Sequence, residues 1–198
     1  RKVTNMSRMF YMVSSFTGDV STWQTGKVTQ MAQVFYGASS FTSDLSKWQT
    51  GKVKNMREMF RCAYHFESDL SKWDTAQVTN MSKMFSELWW NFNGDLSQWD
   101  TSNVTDMSWM FDSAWRFNGD LSKWHTGKVT KMTRMFHAAS DFNSDLSEWD
   151  TRKVTNMSRM FYMVSSFTGD VSTWQTGKVT QMAQVFYGAS SFTSDLSK

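Results

Sequence analysis

Side chains that could carry chemistry recur in this sequence at a spacing of about 25 residues. Every copy of the pattern has one aspartate, and a tryptophan follows it four residues later in seven of the eight copies. Calcium bound by repeats requires several oxygen ligands within a few residues. Because each copy offers one Asp beside a Ser, we expect a structural ladder in which Asp bonds to backbone in turns. The ladder comprises Asp19, Asp44, Asp69, Asp95, Asp120, Asp145, Asp170, Trp23, Trp48, Trp73, Trp99, Trp124, Trp149 and Trp174.

The three histidines and the single cysteine share no position in the repeat. His65, His125 and His137 fall at three different places, and none of them is in register with Cys62. A metal site needs such ligands to converge, and the sequence contains no hydrolase-type Ser-His-Asp grouping, phosphate loop or Cys-x-x-Cys motif. We therefore predict a protein that is not an enzyme, with no metal and no cofactor.

An aromatic cluster is confined to the middle of the chain, where other copies of the repeat have Ser. Clustered exposed aromatic residues mark binding surfaces, and a sugar ring or a neighbouring chain would fit. Alternatively, the rings pack locally around one extra residue between Phe85 and Phe92. The candidate contact surface consists of Tyr64, His65, Trp89, Trp90, Trp109, Trp115 and Arg116.

The elements that position these residues are set by the repeat itself. Each module opens on a valine, and the valines are Val3, Val28, Val53, Val78, Val104, Val129, Val154 and Val179, which are 25 residues apart with one step of 26. Residues 1–47 recur unchanged as residues 152–198, an offset of 151 that makes six modules one superrepeat. This organisation predicts a single uncapped solenoid over residues 1–198, cut from a longer array.

Within a module, the spacing of apolar residues predicts one helix and one strand. With the opening valine as position zero, apolar residues at plus three, six, seven and ten cover one face of a short helix, which a Thr three residues before the valine would cap. The segment Phe117 to Trp124 has strand-like alternation, which puts Asp120, Ser122 and Trp124 on one face and Leu121 outward. We expect the Asp–Ser–Trp face to line the stack.

One stretch carries a family resemblance. Residues 95–111, DLSQWDTSNVTDMSWMF, resemble the 25-residue repeat of mycoplasma-type lipoproteins and surface proteins, a branch of the BspA-like leucine-rich repeats. The resemblance covers the whole chain and implies a right-handed α/β solenoid, with one short strand and one short helix per turn, on secreted or cell-surface proteins. The chain departs from the family pattern where Gln24, Gln49, His125 and Gln175 replace the Asp after Trp.

Composition narrows the function further. One cysteine excludes a disulfide framework, the net charge of +3 does not call for nucleic acid, and no apolar run approaches the ~20 residues of a membrane span. We expect an extracellular or cell-surface structural or adhesive protein that forms fibres with copies of itself; the alternative is a module that binds a glycan or host protein through the aromatic cluster. Sequons that could carry glycans lie at Asn5, Asn80, Asn103 and Asn156.

Overall fold

The computed structural model describes residues 3–89 and 92–196, which wind into a stack of eight coils, one coil for each module. Successive coils are joined by parallel β-bridges at position plus two, which link Asn5, Gln30, Asn55, Asn80, Asp106, Lys131, Asn156 and Gln181 in that order. Asn80 pairs with Asp106 across the single 26-residue step. The extra residue therefore leaves the register of the stack unchanged.

The described residues contain no helix, and their only β-structure is these isolated bridges. The predicted α/β solenoid of leucine-rich-repeat type, with a strand and a helix in each turn, is therefore wrong. Backbone N–H groups instead alternate between two uses. Those of Met6, Arg8 and Phe10 donate to carbonyls of the next coil at 2.9 to 3.0 Å, whereas those of Met9 and Tyr11 close turns on the carbonyl three residues earlier.

Left-handed backbone at two positions of each module explains why no helix forms. Residues at plus five and plus nine have positive φ, as in Glu58 with 55° and Cys62 with 58°. One such residue is enough to interrupt a right-handed helix. With two in each module, every second backbone N–H points along the stack and donates to the neighbouring coil. No valine, isoleucine or threonine occupies either position in any module, in keeping with the cost of this conformation for β-branched residues.

The apolar residues assigned to one side of the predicted helix are nevertheless buried. Val28, Met31, Val34, Phe35 and Ala38 are each 0–1 % exposed. A chain of three-residue turns returns side chains to the interior at nearly the same spacing as a helix. The pattern therefore predicted the buried set correctly and the backbone incorrectly.

The second half of the module is not a strand with alternating faces. Leu121 is fully buried and Trp124 is 2 % exposed, whereas Asp120 lies on the surface. The Asp120 Oδ1 accepts the backbone N–H of Ser122 at 2.9 Å, which makes a tight turn of the kind that Asp side chains stabilise. The turn directs Leu and Trp inward together, so the expectation that Leu121 faces outward is wrong.

Two columns of phenylalanine form the centre of the core. Within one coil Phe111 and Phe117 stack with ring centroids 3.9 Å apart, and Phe111 also stacks on Phe85 and Phe136 of the adjacent coils at 5.7 Å. Phe92, which follows the inserted residue, continues its own column to Phe117 at 5.9 Å. Each coil thus buries its apolar side chains chiefly against neighbouring coils, as repeat proteins do.

The threonine expected to cap a helix links coils instead. The Thr50 hydroxyl donates to the Asp74 carbonyl at 2.8 Å, and the Thr50 carbonyl accepts the Val53 N–H to close a turn. Thr75, Thr101, Thr126 and Thr151 make the same bond to the following coil at 2.9 to 3.1 Å. The buried threonines therefore tie each coil to the next through its backbone carbonyls.

Candidate interaction surface

One side of the stack collects the side chains at positions plus eight, plus nine and plus eleven of each coil, and we call it the lateral edge. In the third coil these positions are Arg61, Cys62 and Tyr64. Tyr64 and Cys62 lie close enough to affect each other's pKa, which places plus eleven beside plus nine. Because the coils stack in register, each position extends along the edge as a column.

The aromatic cluster predicted from the sequence forms a stack on this edge. Tyr64 and Trp89 lie with ring centroids 4.9 Å apart, and Trp89 and Trp115 lie 6.0 Å apart. All three side chains are partly buried, and both faces of Trp89 are covered by the neighbouring rings. Trp90, also assigned to this surface, lies outside the described residues.

The polar members of the predicted surface are attached to the next or previous coil. His65 Nδ1 lies 2.6 Å from the Ser39 carbonyl oxygen, and the Arg116 guanidinium lies 3.4 Å from a carboxylate oxygen of Asp141. Both His65 and Arg116 are exposed. Their assignment to a contact surface remains a prediction.

Trp109 lies in a different column, at plus five. Its ring faces two cations, with Lys83 Nζ 5.0 Å and Arg134 Cζ 4.1 Å from the ring centroid. Cations attract the face of an indole ring electrostatically. Trp109 is thus held by its neighbours along the stack rather than by the Tyr64–Trp89–Trp115 stack.

Paired charges line the same edge, and the sequence interpretation missed them. Arg61 Nη2 donates to Glu87 Oε1 at 2.6 Å, and the Cys62 thiol lies 3.3 Å from Glu87 Oε2. Burial and the nearby Glu87 carboxylate raise the pKa of Cys62 to about 11. Burial together with Cys62 raises the pKa of Tyr64 to about 12. Neither group ionises at neutral pH, so the thiol is not an activated nucleophile.

A second cluster surrounds the buried Glu58 carboxylate. Burial by itself would raise the pKa of Glu58, but hydrogen bonds from Gln33 and Arg57 and the charge of Lys83 lower it overall. Arg57 Nη2 lies 2.9 Å and Lys83 Nζ 3.7 Å from Glu58 Oε1. A buried carboxylate that is paired and hydrogen-bonded in this way stays charged.

A third cluster joins Asp112, Arg134 and His137. The buried Asp112 Oδ1 lies 2.8 Å from His137 Nδ1 and 3.3 Å from Arg134 Nη2. With its proton on Nδ1, the imidazole donates to Asp112, and Arg134 is then held by the carboxylate and the Trp109 ring. The signal for all three clusters was present in the sequence, because opposite charges recur at offsets of 22 to 26 residues.

The aspartates of the predicted ladder lie on another part of the surface and stabilise turns. In Asp69, Asp95 and Asp120 the backbone and side chain of the Ser two residues later lower the carboxyl pKa below its usual 3.8. Hydroxyls of Ser43, Ser68 and Ser194 in the following coils donate to Asp19, Asp44 and Asp170 at 3.0 to 3.3 Å. The aspartates are thus surface groups that fix the turn geometry.

From Trp73 to Trp174 the tryptophans of the predicted ladder stack in one column. Trp99 and Trp124 lie with centroids 6.4 Å apart and ring planes 1° apart. Each indole N–H donates to the Leu or Val carbonyl of the preceding coil at 3.0 to 3.1 Å, beginning with Trp48 and ending with Trp174. These bonds tie consecutive coils together at a buried position.

The sequon asparagines use their amides within the fold. The Oδ1 atoms of Asn5, Asn80 and Asn156 accept the backbone N–H two residues later at 2.8 to 2.9 Å, and Asn103 Nδ2 donates to the Ala76 carbonyl at 2.8 Å. A glycan on any of them would have to coexist with these hydrogen bonds. Glycosylation stays a prediction.

Residues 3–89 and 92–196 contain no group of three or more His, Cys, Asp or Glu side chains arranged to hold a metal ion. They also contain no helix with the length and apolar character needed to cross a bilayer.

Comparison with known proteins gives one family. A family model described as "Mycoplasma protein of unknown function, DUF285" matches residues 1–89 and 80–198, so the two matches together span the chain. No curated protein and no solved structure matched. The match agrees with the mycoplasma-type repeat seen in the sequence but gives no support to the BspA-like leucine-rich-repeat branch, whose strand and helix the coils lack. The chain belongs to the DUF285 family of Mycoplasma proteins of unknown function.

Proposed function

We propose that this protein is a structural or adhesive repeat protein of the cell exterior that assembles side by side with copies of itself. The observation that carries the proposal is the superrepeat: residues 1–47 return unchanged at 152–198. The stack keeps its register over that distance, because every bridge from Asn5 to Gln181 is in place. Identical surfaces therefore recur at a fixed number of coils along the stack, as a lateral assembly requires.

The bonding between coils supports a stiff rod. The backbone bonds of Met6, Arg8, Phe10 and Met12 to the next coil, at 2.7 to 3.0 Å, have counterparts throughout the stack. Phenylalanine and tryptophan columns run beside them without a break at the inserted residue. A rod held at so many points keeps distant surfaces at a fixed separation, which allows several weak contacts to form at once.

Electron microscopy and sedimentation velocity of the purified chain test this proposal. We expect filaments or bundles of constant width, with a sedimentation coefficient that rises with concentration. Monodisperse short rods at all concentrations would contradict assembly. Protease treatment of intact cells tests the location separately, since an exterior protein is degraded while cytoplasmic controls survive.

The alternative is a module that binds a glycan or a host protein through the aromatic cluster. A sugar commonly packs on the open face of an aromatic ring, and both faces of Trp89 are covered by Tyr64 and Trp115. The covered faces argue against a sugar packing on Trp89. Only the edges of the ring are left for contact with a protein partner. Replacing Trp89 and Trp115 by alanine separates the two functions. If the variant still assembles but no longer binds the glycan or host protein, the alternative is supported.

A further inference from the structure

The lateral edge carries the same apolar patch twice. Tyr11, Met12 and Tyr36 form the first copy, and the residues 151 positions later, Tyr162, Met163 and Tyr187, form the second. We call these the Tyr–Met patches. Met12 is 61 % exposed and Met163 is 51 % exposed, although core methionines such as Met31, Met56 and Met81 are fully buried.

The exposure of Met163 belongs to the side of the stack and not to its end. Met163 lies in the seventh coil, and its N–H donates to the Tyr187 carbonyl of the eighth coil at 2.7 Å. Tyr162 is stacked between His137 and Tyr187, with both pairs of centroids 4.9 Å apart. With a coil on either side, the methionine side chain still faces solvent.

Glycine in the next coil gives each patch its shape. Gly37 and Gly188 have φ of +68° and +71°, and a Cβ on them would come within 2.7 Å of Met12 Sδ and 3.1 Å of Met163 Cγ. The missing side chains let each methionine lie flat against the following coil. Flexible thioether side chains on a flat surface adapt readily to an apolar partner.

The four coils between the patches carry charges at these positions that are already compensated within the chain. Arg61 pairs with Glu87, and Asp112 pairs with Arg134 and His137. A partner lying along the edge therefore meets no uncompensated charge from these groups, whose ion pairs are made before it binds.

We propose that the Tyr–Met patches are the contacts through which two copies of this chain associate side by side, an inference that rests on the assembly proposed above. A second copy carries two patches at the same six-coil separation, so both contacts form in one parallel register. A partner without this period engages one patch only. Two linked contacts gain affinity over one through the high effective concentration of the second.

The test uses the full 198-residue chain with lysine placed in both patches. Met12→Lys with Met163→Lys should raise the concentration at which the chain associates by about tenfold or more, since one or both contacts are lost. Analytical ultracentrifugation measures the association. Unfolding by urea, followed by tryptophan fluorescence, checks that the variant folds as the parent does.

A matched control adds the same charges at the same period on another part of the surface. Thr22→Lys with Thr173→Lys fits this purpose, because both threonines are exposed and the equivalent positions hold Lys47, Lys72 and Lys123. We expect the control to associate like the parent chain. Any association through the ends of the stack is common to both variants.

The outcomes separate the patches from the assembly. If the parent associates and the methionine variant associates equally well, or if the control is weakened as much, the patches are not the contact. Electron microscopy of the parent then shows whether the copies join side by side or end to end, which decides the proposed assembly separately. If the parent stays monomeric at every concentration, the proposed function itself fails. Loss in the methionine variant alone supports the assignment.

Discussion

The interior of the stack and its lateral edge follow the same period but differ in what varies. Inside, phenylalanine occupies plus seven in every module, and Phe35, Phe60, Phe85 and Phe111 are all fully buried. On the edge, plus eight is Tyr, Arg, Ser, Asp or His. The comparison teaches that the constant interior residues let any coil pack on any other. The variable edge residues give each coil within a superrepeat its own surface.

The largest effect should come from breaking the interior. Phe111→Ala removes a ring that stacks on Phe85, Phe117 and Phe136, so we expect a loss of about 3–5 kcal/mol in the free energy of unfolding. Urea titration followed by circular dichroism measures it. Trp109→Ala on the outer surface is the control and should cost clearly less; equal losses would show that the interior is not what stabilises the stack.

A smaller loss should follow when a bond between coils is removed and an aromatic ring is kept. In the parent chain the Leu96 carbonyl accepts the Trp124 indole N–H at 3.0 Å. Trp124→Phe removes this buried donor and leaves the carbonyl without it. We expect about 1–3 kcal/mol of destabilisation from the unsatisfied carbonyl. Trp115→Phe, on the lateral edge, is the matched change. An undiminished urea midpoint for Trp124→Phe would mean that the ladder bond contributes nothing.

The same comparison explains what the sequence could predict. The period, the stacking and the buried set at zero, three, six, seven and ten were accessible, because burial repeats in all copies. The backbone was not, since helical spacing and a chain of tight turns bury the same positions. The glycines at plus nine, Gly37 and Gly188, were the missed signal, as glycine favours the positive φ found there.

The edge was only partly predictable for a related reason. Tyr64, Trp89 and Trp115 share one position, so their stacking follows from the repeat alone. The pairing of Arg61 with Glu87 links plus eight to plus nine across coils. It depends on which columns are neighbours around a coil, and that required the true backbone.

A chemical probe can sharpen the description of the edge with little effect on stability. Glu87→Gln removes a carboxylate that, after burial, helps to raise the pKa of Cys62 to about 11. The pKa should fall in the variant, so that more thiolate is present at pH 9 and alkylation by iodoacetamide is several-fold faster. Glu67→Gln, an exposed change outside the cluster, should leave the rate unchanged. A rate in Glu87→Gln equal to or below that of the parent would contradict the arrangement.

The smallest effect concerns the surface aspartates, which belong to neither region. Their folded pKa values lie below 3.8 because Ser N–H and hydroxyl groups stabilise the carboxylate. A lowered folded pKa gives stability that is present above the unfolded value and is lost as pH falls through the folded one. Replacing Asp69, Asp95 and Asp120 by Asn keeps an Oδ1 acceptor without the charge. The variant should be slightly less stable than the parent at pH 7, because it lacks the stabilised charge, and should lose less stability between pH 5 and pH 2.

Removing three carboxylates elsewhere controls for the change in net charge. Glu67→Gln, Asp141→Asn and Glu148→Gln take away the same charge without touching the Asp–Ser turns. Acid unfolding of the three proteins, followed by circular dichroism, separates the contributions. If both variants flatten the acid profile equally, the loss of negative charge on protonation of any carboxylate is responsible, and not the turns. A flatter profile for the Asp69, Asp95 and Asp120 variant alone assigns this share of the acid sensitivity to the turns. Of the six substituted carboxylates, only those three accept hydrogen bonds from a serine two residues later.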